Sequence, residues 1–148
     1  MPPDLDATAR CLVHASCVAI GDHGILLRGR SGSGKSDLAL RLIDAGASLV
    51  ADDQVVLDHE DGAVSARSPA PLAGLLEVRA LGIFRFTHRE AVQVRLIVDL
   101  VQEGDLERLP EARSATVLGI DLPLIRIDGR TASATTRVRC ALVRERVA

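Results

Sequence analysis

The sequence predicts an α/β fold, with a phosphate-binding loop set into a mixed, largely antiparallel sheet. Three observations carry that expectation. An apolar segment at 25–27 runs into GRSGSGKS at 29–36 and an amphipathic segment follows directly, giving the order strand, glycine loop, helix. Short apolar runs bounded by turn residues outnumber helical stretches, and several are joined as hairpins. The chain has 148 residues, 47% of them hydrophobic and 26% charged, which fits one domain with an ordinary core.

The first ten residues are polar and carry two prolines, so a frayed start is expected. CLVHASCVAI at 11–20 reads as a strand, and GDHG at 21–24 turns it into a hairpin with 25–27. After the glycine loop, Leu38, Leu42 and Ile43 share one helical face, and Gly46 is placed to cap the C-terminus. A second strand at 47–51 ends on Asp52 and Asp53, and 54–57 then reaches the turn Glu60, Asp61, Gly62, where another hairpin is expected. SPAP at 68–71 interrupts the pattern; beyond it come a short helical turn around Leu75 and an extended stretch toward Phe84. Residues 92–101 form the clearest long strand, 102–114 a polar loop, and 122–127 a last strand before a helix starting near Ala134.

Composition narrows the function. Phe84 and Phe86 are the only aromatic residues, so the core must be built from Val, Leu, Ile and Ala. Lys plus Arg number 18 against 20 Asp plus Glu, a balance that gives no field for gripping nucleic acid. No run approaches the roughly 18 apolar residues of a membrane span, and the N-terminus has no apolar signal core, so a cytosolic protein with no membrane partner is expected. Cys11, Cys17 and Cys140 lack C-x-x-C spacing and read as buried thiols in a reducing compartment. His23, His59 and His88 fall in turn-like segments and read as surface groups; no His/Cys/Asp spacing suggests zinc.

Gly29, Gly34, Lys35 and Ser36 match G-x-x-x-x-G-K-[ST] without a departure, which chance would give in fewer than about one in a hundred chains of this length. Arg30, Ser31, Gly32 and Ser33 fill the loop, with Gly32 freeing the backbone to turn its N–H groups inward. The amides and helix N-terminus are expected around a β-phosphate, Lys35, the only lysine of the chain, against the β- and γ-phosphates, and the Ser36 hydroxyl on Mg²⁺. The pattern therefore points to a nucleoside triphosphate, ATP with Mg²⁺. Asp52 and Asp53 end the next strand at the same sheet edge. Adjacent carboxylates on an extended end point apart, so one can face the γ-phosphate as a base while the other holds Mg²⁺ or a neighbouring cation; a solvated turn or a helix cap is the plainer alternative. His14, in an apolar strand next to the one feeding the loop, reads either as a core histidine held by backbone or as part of this site.

Taken together, these words resemble the C-terminal catalytic domain of the HPr kinase/phosphorylase family, with its P-loop core related to PEP carboxykinase. The words are His14 with the short strand to Gly21, GRSGSGKS, LVADD at 49–53 and LLEVRALGI at 75–83, with weaker echoes in ERLP at 107–110 and DGRT at 128–131. The resemblance implies a serine kinase for the phosphocarrier protein HPr in the phosphotransferase system, using ATP and Mg²⁺. It implies Asp52 as the base taking the serine proton, His14 beside it, and Asp53 as a supporting acid. Lys35 and Ser36 keep their loop roles, Glu77 helps hold the metal, Arg79 supports that segment, and Arg108 lies near the transferred phosphoryl group. Members also run the reverse reaction, in which inorganic phosphate removes the phosphoryl group and releases pyrophosphate, and they form homo-oligomers.

The sequence departs from the family pattern in several places. The family's N-terminal domain is expected to be absent, since His14 already belongs to the catalytic domain, and the last helix is short where longer members use it to dock HPr. Ala80 stands where the family commonly has Gly, and Thr131 where it has Asn, which weakens the expectation of phosphorylase activity. Two other readings stay open. A small-metabolite kinase also joins a P-loop to an acidic pair, but would begin with the P-loop strand. A nucleotide-sensing module without transfer chemistry would bind ATP and turn nothing over.

Overall fold

The computed structural model describes residues 10–148, so the expected frayed start at 1–10 falls almost wholly outside the described residues. Eleven strands and two α-helices follow: β1 Arg10–Val13, β2 Ser16–Ile20, β3 His23–Arg28, α1 Lys35–Asp44, β4 Ser48–Ala51, β5 Val55–Glu60, β6 Ala63–Arg67, β7 Leu75–Val78, β8 Gly82–Arg85, β9 Val92–Leu100, β10 Arg113–Val117, β11 Ile120–Ile127 and α2 Ala134–Val143. Nine strands make one sheet in the order β1-β5-β6-β9-β3-β2-β4, and β7 and β8 form a separate hairpin. On its second edge the long β9 pairs β6 with its first residues and β11 with its last, so β10 and β11 branch from the main path. Among the described strand pairs only β3·β9 and β9·β11 are parallel; the other strand pairs are antiparallel, as expected.

Alternation along the strands builds two cores on opposite faces of the sheet. Ile25 and Leu27 of β3 meet Leu38 and Leu42 of α1 and Val138 of α2, while Leu26 faces Val50, Val55 and Val94 on the other side. In β9 the alternation breaks, because Gly24 pairs Val94 and Ile25 pairs Leu96. The exposed Arg95 is the extra residue, and this bulge moves the following side chains to the opposite face. α1 ends as expected: Gly46, at φ +115, donates to Ile43 and Ala47 donates to Leu42, the paired bonds of a Schellman cap.

Several expectations need correction. The segment 11–20 is not one strand. Its halves have different partners, β1 on β5 and β2 on β3 and β4, so the chain bends at His14 and Ala15. His14 consequently lies on a bend with its side chain 54% exposed, not in an apolar strand. Leu75 begins β7; the short helical turn is a 3-10 turn at Ala70–Leu72. Arg113 and Ser114, expected as the end of the loop at 102–114, instead open β10 at Arg113–Val117, and a second 3-10 turn at Glu103–Asp105 lies within that loop. Of the three cysteines only Cys17 is buried, and burial pushes its thiol up to about 12; Cys11 is half-buried and Cys140 exposed. α2 buries Ala134 and Val138, and a residue two positions beyond Val138 turns to the other side of a helix. His59 and His88 are half-buried rather than surface groups, His59 because it lies in β5 with Nδ1 enclosed and His88 because it bridges to Leu49.

Ala80 is a departure whose cost the fold makes visible. Leu81 donates to the Val78 carbonyl (2.9 Å), closing the turn of the β7–β8 hairpin with Ala80 at φ +72, a region that glycine enters without penalty. Ala80→Gly should therefore stabilise the protein by about 0.5–1 kcal/mol, the left-handed strain relieved less the extra freedom of the unfolded chain. A higher urea midpoint at constant m-value is the expected reading.

Candidate active site

The sheet brings the chemistry to one edge. β4 and β9 run in the same direction as β3, and β11 runs with β9, so their C-terminal ends lie together with the N-terminal end of the antiparallel β2. Along this edge the order is Asp52 and Asp53 after β4, Ser16 at the start of β2, the loop after β3, Val101 after β9, and Asp128 after β11. A ligand outside the carboxyl ends of these strands meets all of them. The loop leaves β3 at a fixed point, because Arg28 donates twice to Asp99 across the β3–β9 pair (2.7 and 3.0 Å).

Within the loop Gly32 and Gly34 have φ of +82 and +100, and a Cβ at either would meet nothing within 4 Å. Backbone conformation alone therefore demands glycine there. Lys35 is 93% buried in the sense that 7% of its surface is exposed, and its ammonium donates to the carbonyls of Gly29 (2.8 Å) and Arg30 (3.0 Å). The Ser36 hydroxyl donates to Oδ1 of Asp52 (2.7 Å), and Ser16 donates to the same oxygen (2.8 Å). Asp53 faces the other way, as adjacent carboxylates should, with Oδ1 3.1 Å from Nδ1 of His14.

The acidic pair sits in a special piece of backbone. The Gln54 N–H donates to the Asp52 carbonyl (2.8 Å), leaving Asp53 as the middle residue of a three-residue turn at φ +69. The Ala15 N–H holds the Asp53 carbonyl (3.3 Å), tying the bend that carries His14 to the same turn. Local strain of this kind persists when surrounding bonds fix it, and here those bonds aim two carboxylates apart.

His14, Ser16, Lys35, Ser36, Asp53, Glu77 and Arg79 line one cleft of about 570 Å³, and Asp52 is hydrogen-bonded to Ser16 and Ser36 of that lining. Glu77 arrives from β7, which packs on α1 through this side of the molecule. Arg108 is not brought here; it lines a separate cleft with Arg126 and Arg137. In its place stands Arg130 of the DGRT segment, for which the sequence alone predicts no role. Asp128 accepts from Arg130 Nε and Nη2 (3.1 and 3.2 Å) and from its backbone N–H (2.9 Å), which, led by the side-chain bonds, lowers the carboxyl to about 2. Arg41 of α1 secures the same turn by donating to the carbonyls of Gly129 and Thr131.

The depressed Asp128 has a pH consequence. A carboxylate lowered by folding contributes stability that is present above its unfolded pKa of about 3.9 and disappears as pH falls through the folded value. For Asp128 that window runs from about 4 down to about 2. Asp128→Asn should flatten this part of the acid-unfolding curve, as followed by thermal midpoints across the window.

The residues present fit a hard divalent cation. Ser36 gives its proton to Asp52, so its lone pairs are free, and the Glu77 carboxylate lines the same cleft; oxygen donors suit Mg²⁺. The bond to Oδ1 of Asp52 fixes the orientation of the Ser36 hydroxyl.

Comparison with known proteins agrees with this architecture. The family model described as "HPr Serine kinase C-terminal domain" matches residues 6–146. The chain belongs to this family. An HPr kinase/phosphorylase from Chlorobium phaeobacteroides is 34% identical over 127 residues, which are 77% of this chain and 39% of the relative. One from Burkholderia lata is 40% identical over 129 residues, 80% of this chain and 40% of the relative. The chain thus spans about two-fifths of the length of these curated relatives. The solved structure of the Hpr(Ser) kinase/phosphatase from Coxiella burnetii superposes with a TM-score of 0.76 at 26% identity, covering 89% of this chain and 92% of that one. Among the described residues, no helix is long and apolar enough to cross a membrane.

Proposed function

We propose that this chain carries the phosphoryl-transfer centre of an HPr kinase/phosphorylase, moving the γ-phosphoryl group of Mg-ATP to a serine of HPr. The observation that carries the reading is the pair Asp52 and Asp53 beside the P-loop, one carboxylate bonded to Ser36 and the other to His14. A P-loop nucleotide site without an acceptor also places one carboxylate beside its serine; the second carboxylate, held by His14, is what an acceptor-activating centre adds. In this reading Lys35 releases the Gly29 and Arg30 carbonyls and turns its ammonium to the β- and γ-phosphates, with P-loop amides around the β-phosphate. Arg130, held at fixed orientation by Asp128, supplies a second positive charge at the cleft.

Bound Mg²⁺, held by Ser36 and Glu77, would neutralise phosphate charge. Oδ2 of Asp52, the oxygen not engaged by Ser16 or Ser36, takes the proton of the acceptor serine. The serine oxygen then bonds to the γ-phosphorus as the bond to the β-phosphate oxygen breaks, and ADP leaves. His14 fixes Asp53 next to that proton transfer. Phosphorolysis uses the same groups with inorganic phosphate as acceptor, the serine hydroxyl regaining its proton from Asp52 and pyrophosphate leaving. The same reading makes this a cytoplasmic regulator of the phosphotransferase system.

The test is incubation with Mg²⁺, γ-labelled ATP and HPr from the same organism, beside an HPr variant lacking its acceptor serine. Label on wild-type HPr and none on the variant is the expected result. ATP binding with no label on HPr would instead favour a metabolite kinase or a nucleotide sensor.

A further inference from the structure

We propose that the cleft on the β9 side of the P-loop, between Arg30 and Val101, holds the nucleoside of the bound triphosphate; this assignment rests on the nucleotide-binding reading above. A phosphate chain lying in the loop has two ends. The transfer end is fixed by Asp52, Asp53 and His14, all of which stand on the β2 and β4 side of β3. The nucleoside therefore leaves toward the opposite neighbour of β3, which is β9.

A cleft of about 450 Å³ opens there, within the size range of small-molecule sites. Its walls carry what a nucleoside needs. Val101 offers apolar surface, and the exposed guanidinium of Arg30 is a planar group able to lie over a base. That role cannot fall to an aromatic ring, since Phe84 and Phe86 belong to the β7–β8 segment and line neither wall. The exposed amide of Gln102 can both donate to and accept from a base edge, and the exposed Asp105 carboxylate can accept from ribose hydroxyls. Arg130 borders both this cleft and the transfer cleft, as expected of a residue beside the phosphates that join the two.

Calorimetric titration of the full chain with Mg-ATP and, separately, with Mg-tripolyphosphate tests the assignment, because tripolyphosphate fills the loop and has no nucleoside. Gln102 and Asp105 are exposed, so Gln102→Ala and Asp105→Ala, alone and together, should leave the thermal midpoint unchanged. The double variant should bind Mg-ATP about tenfold more weakly while binding Mg-tripolyphosphate as well as wild type or slightly better, since a nearby negative charge is gone. Equal shifts for both ligands, or no shift for either, would overturn the subsite while the wild type's binding of both kept the P-loop reading intact. A wild-type chain that bound neither ligand would overturn the P-loop reading and the subsite with it.

Discussion

Asp52→Asn is expected to leave Mg-ATP bound and to lower phosphoryl transfer by about 10²–10⁴-fold, the usual contribution of a positioned base. The geometry makes this substitution informative. Ser16 and Ser36 both donate to Oδ1, and an asparagine carbonyl can accept both bonds, so the serines should keep their places. The change removes the charge and the ability to take a proton, and little else. Nucleotide affinity should move by less than about tenfold, since both serine bonds are kept and a neutral hydrogen bond nets only about 0.5–1.5 kcal/mol. If affinity for Mg-ATP collapsed and the rate at saturation survived, Asp52 would be an anchor for Ser36, and the base would have to be sought in Asp53, which lines the cleft directly with His14. Asp53→Asn, measured beside it for kcat and KM, separates the two carboxylates.

How far the sequence led is best judged at particular residues. The P-loop, α1 and its Gly46 cap, and the Asp61-Gly62 hairpin were legible because each is a local pattern of few residues with one backbone solution. The bend at His14 was not, since a run of apolar residues records burial and says nothing about which strand each half will pair with. The β10–β11 hairpin was hidden for a different reason. It turns on Leu118 and Gly119, both at positive φ, and leucine carries no turn signal, while RSATV is too polar to announce a strand. Arg130 was missed because its importance comes from neighbours: Asp128 and Arg41 lie two and many residues away, and only folding shows that they aim one guanidinium at the P-loop. Arg108 shows the converse, a motif echo without a position in the cleft.

Lys35→Ala should have the largest effect on binding. The ammonium is the only lysine nitrogen in the chain and sits almost fully buried against two backbone carbonyls, a place where a cation is tolerated because those oxygens partner it. A polyanion offers better acceptors than carbonyls, so binding should draw Lys35 off Gly29 and Arg30 and onto the phosphates. Charge-assisted bonds of this kind are worth about 1.5–3 kcal/mol each, so loss of the side chain should weaken Mg-ATP by about 10- to 100-fold or more. The uniqueness of Lys35 supplies a second measurement that needs no substitution. Apart from the chain's α-amine, an amine-selective acylating reagent has one target, and the extent of modification at Lys35 can be read by mass spectrometry with and without ligand. Mg-ATP and Mg-tripolyphosphate should protect it equally, since both occupy the loop. Protection by neither would mean that Lys35 keeps its carbonyl bonds when ligand is present, leaving Arg130 and the loop amides to bind the phosphates alone.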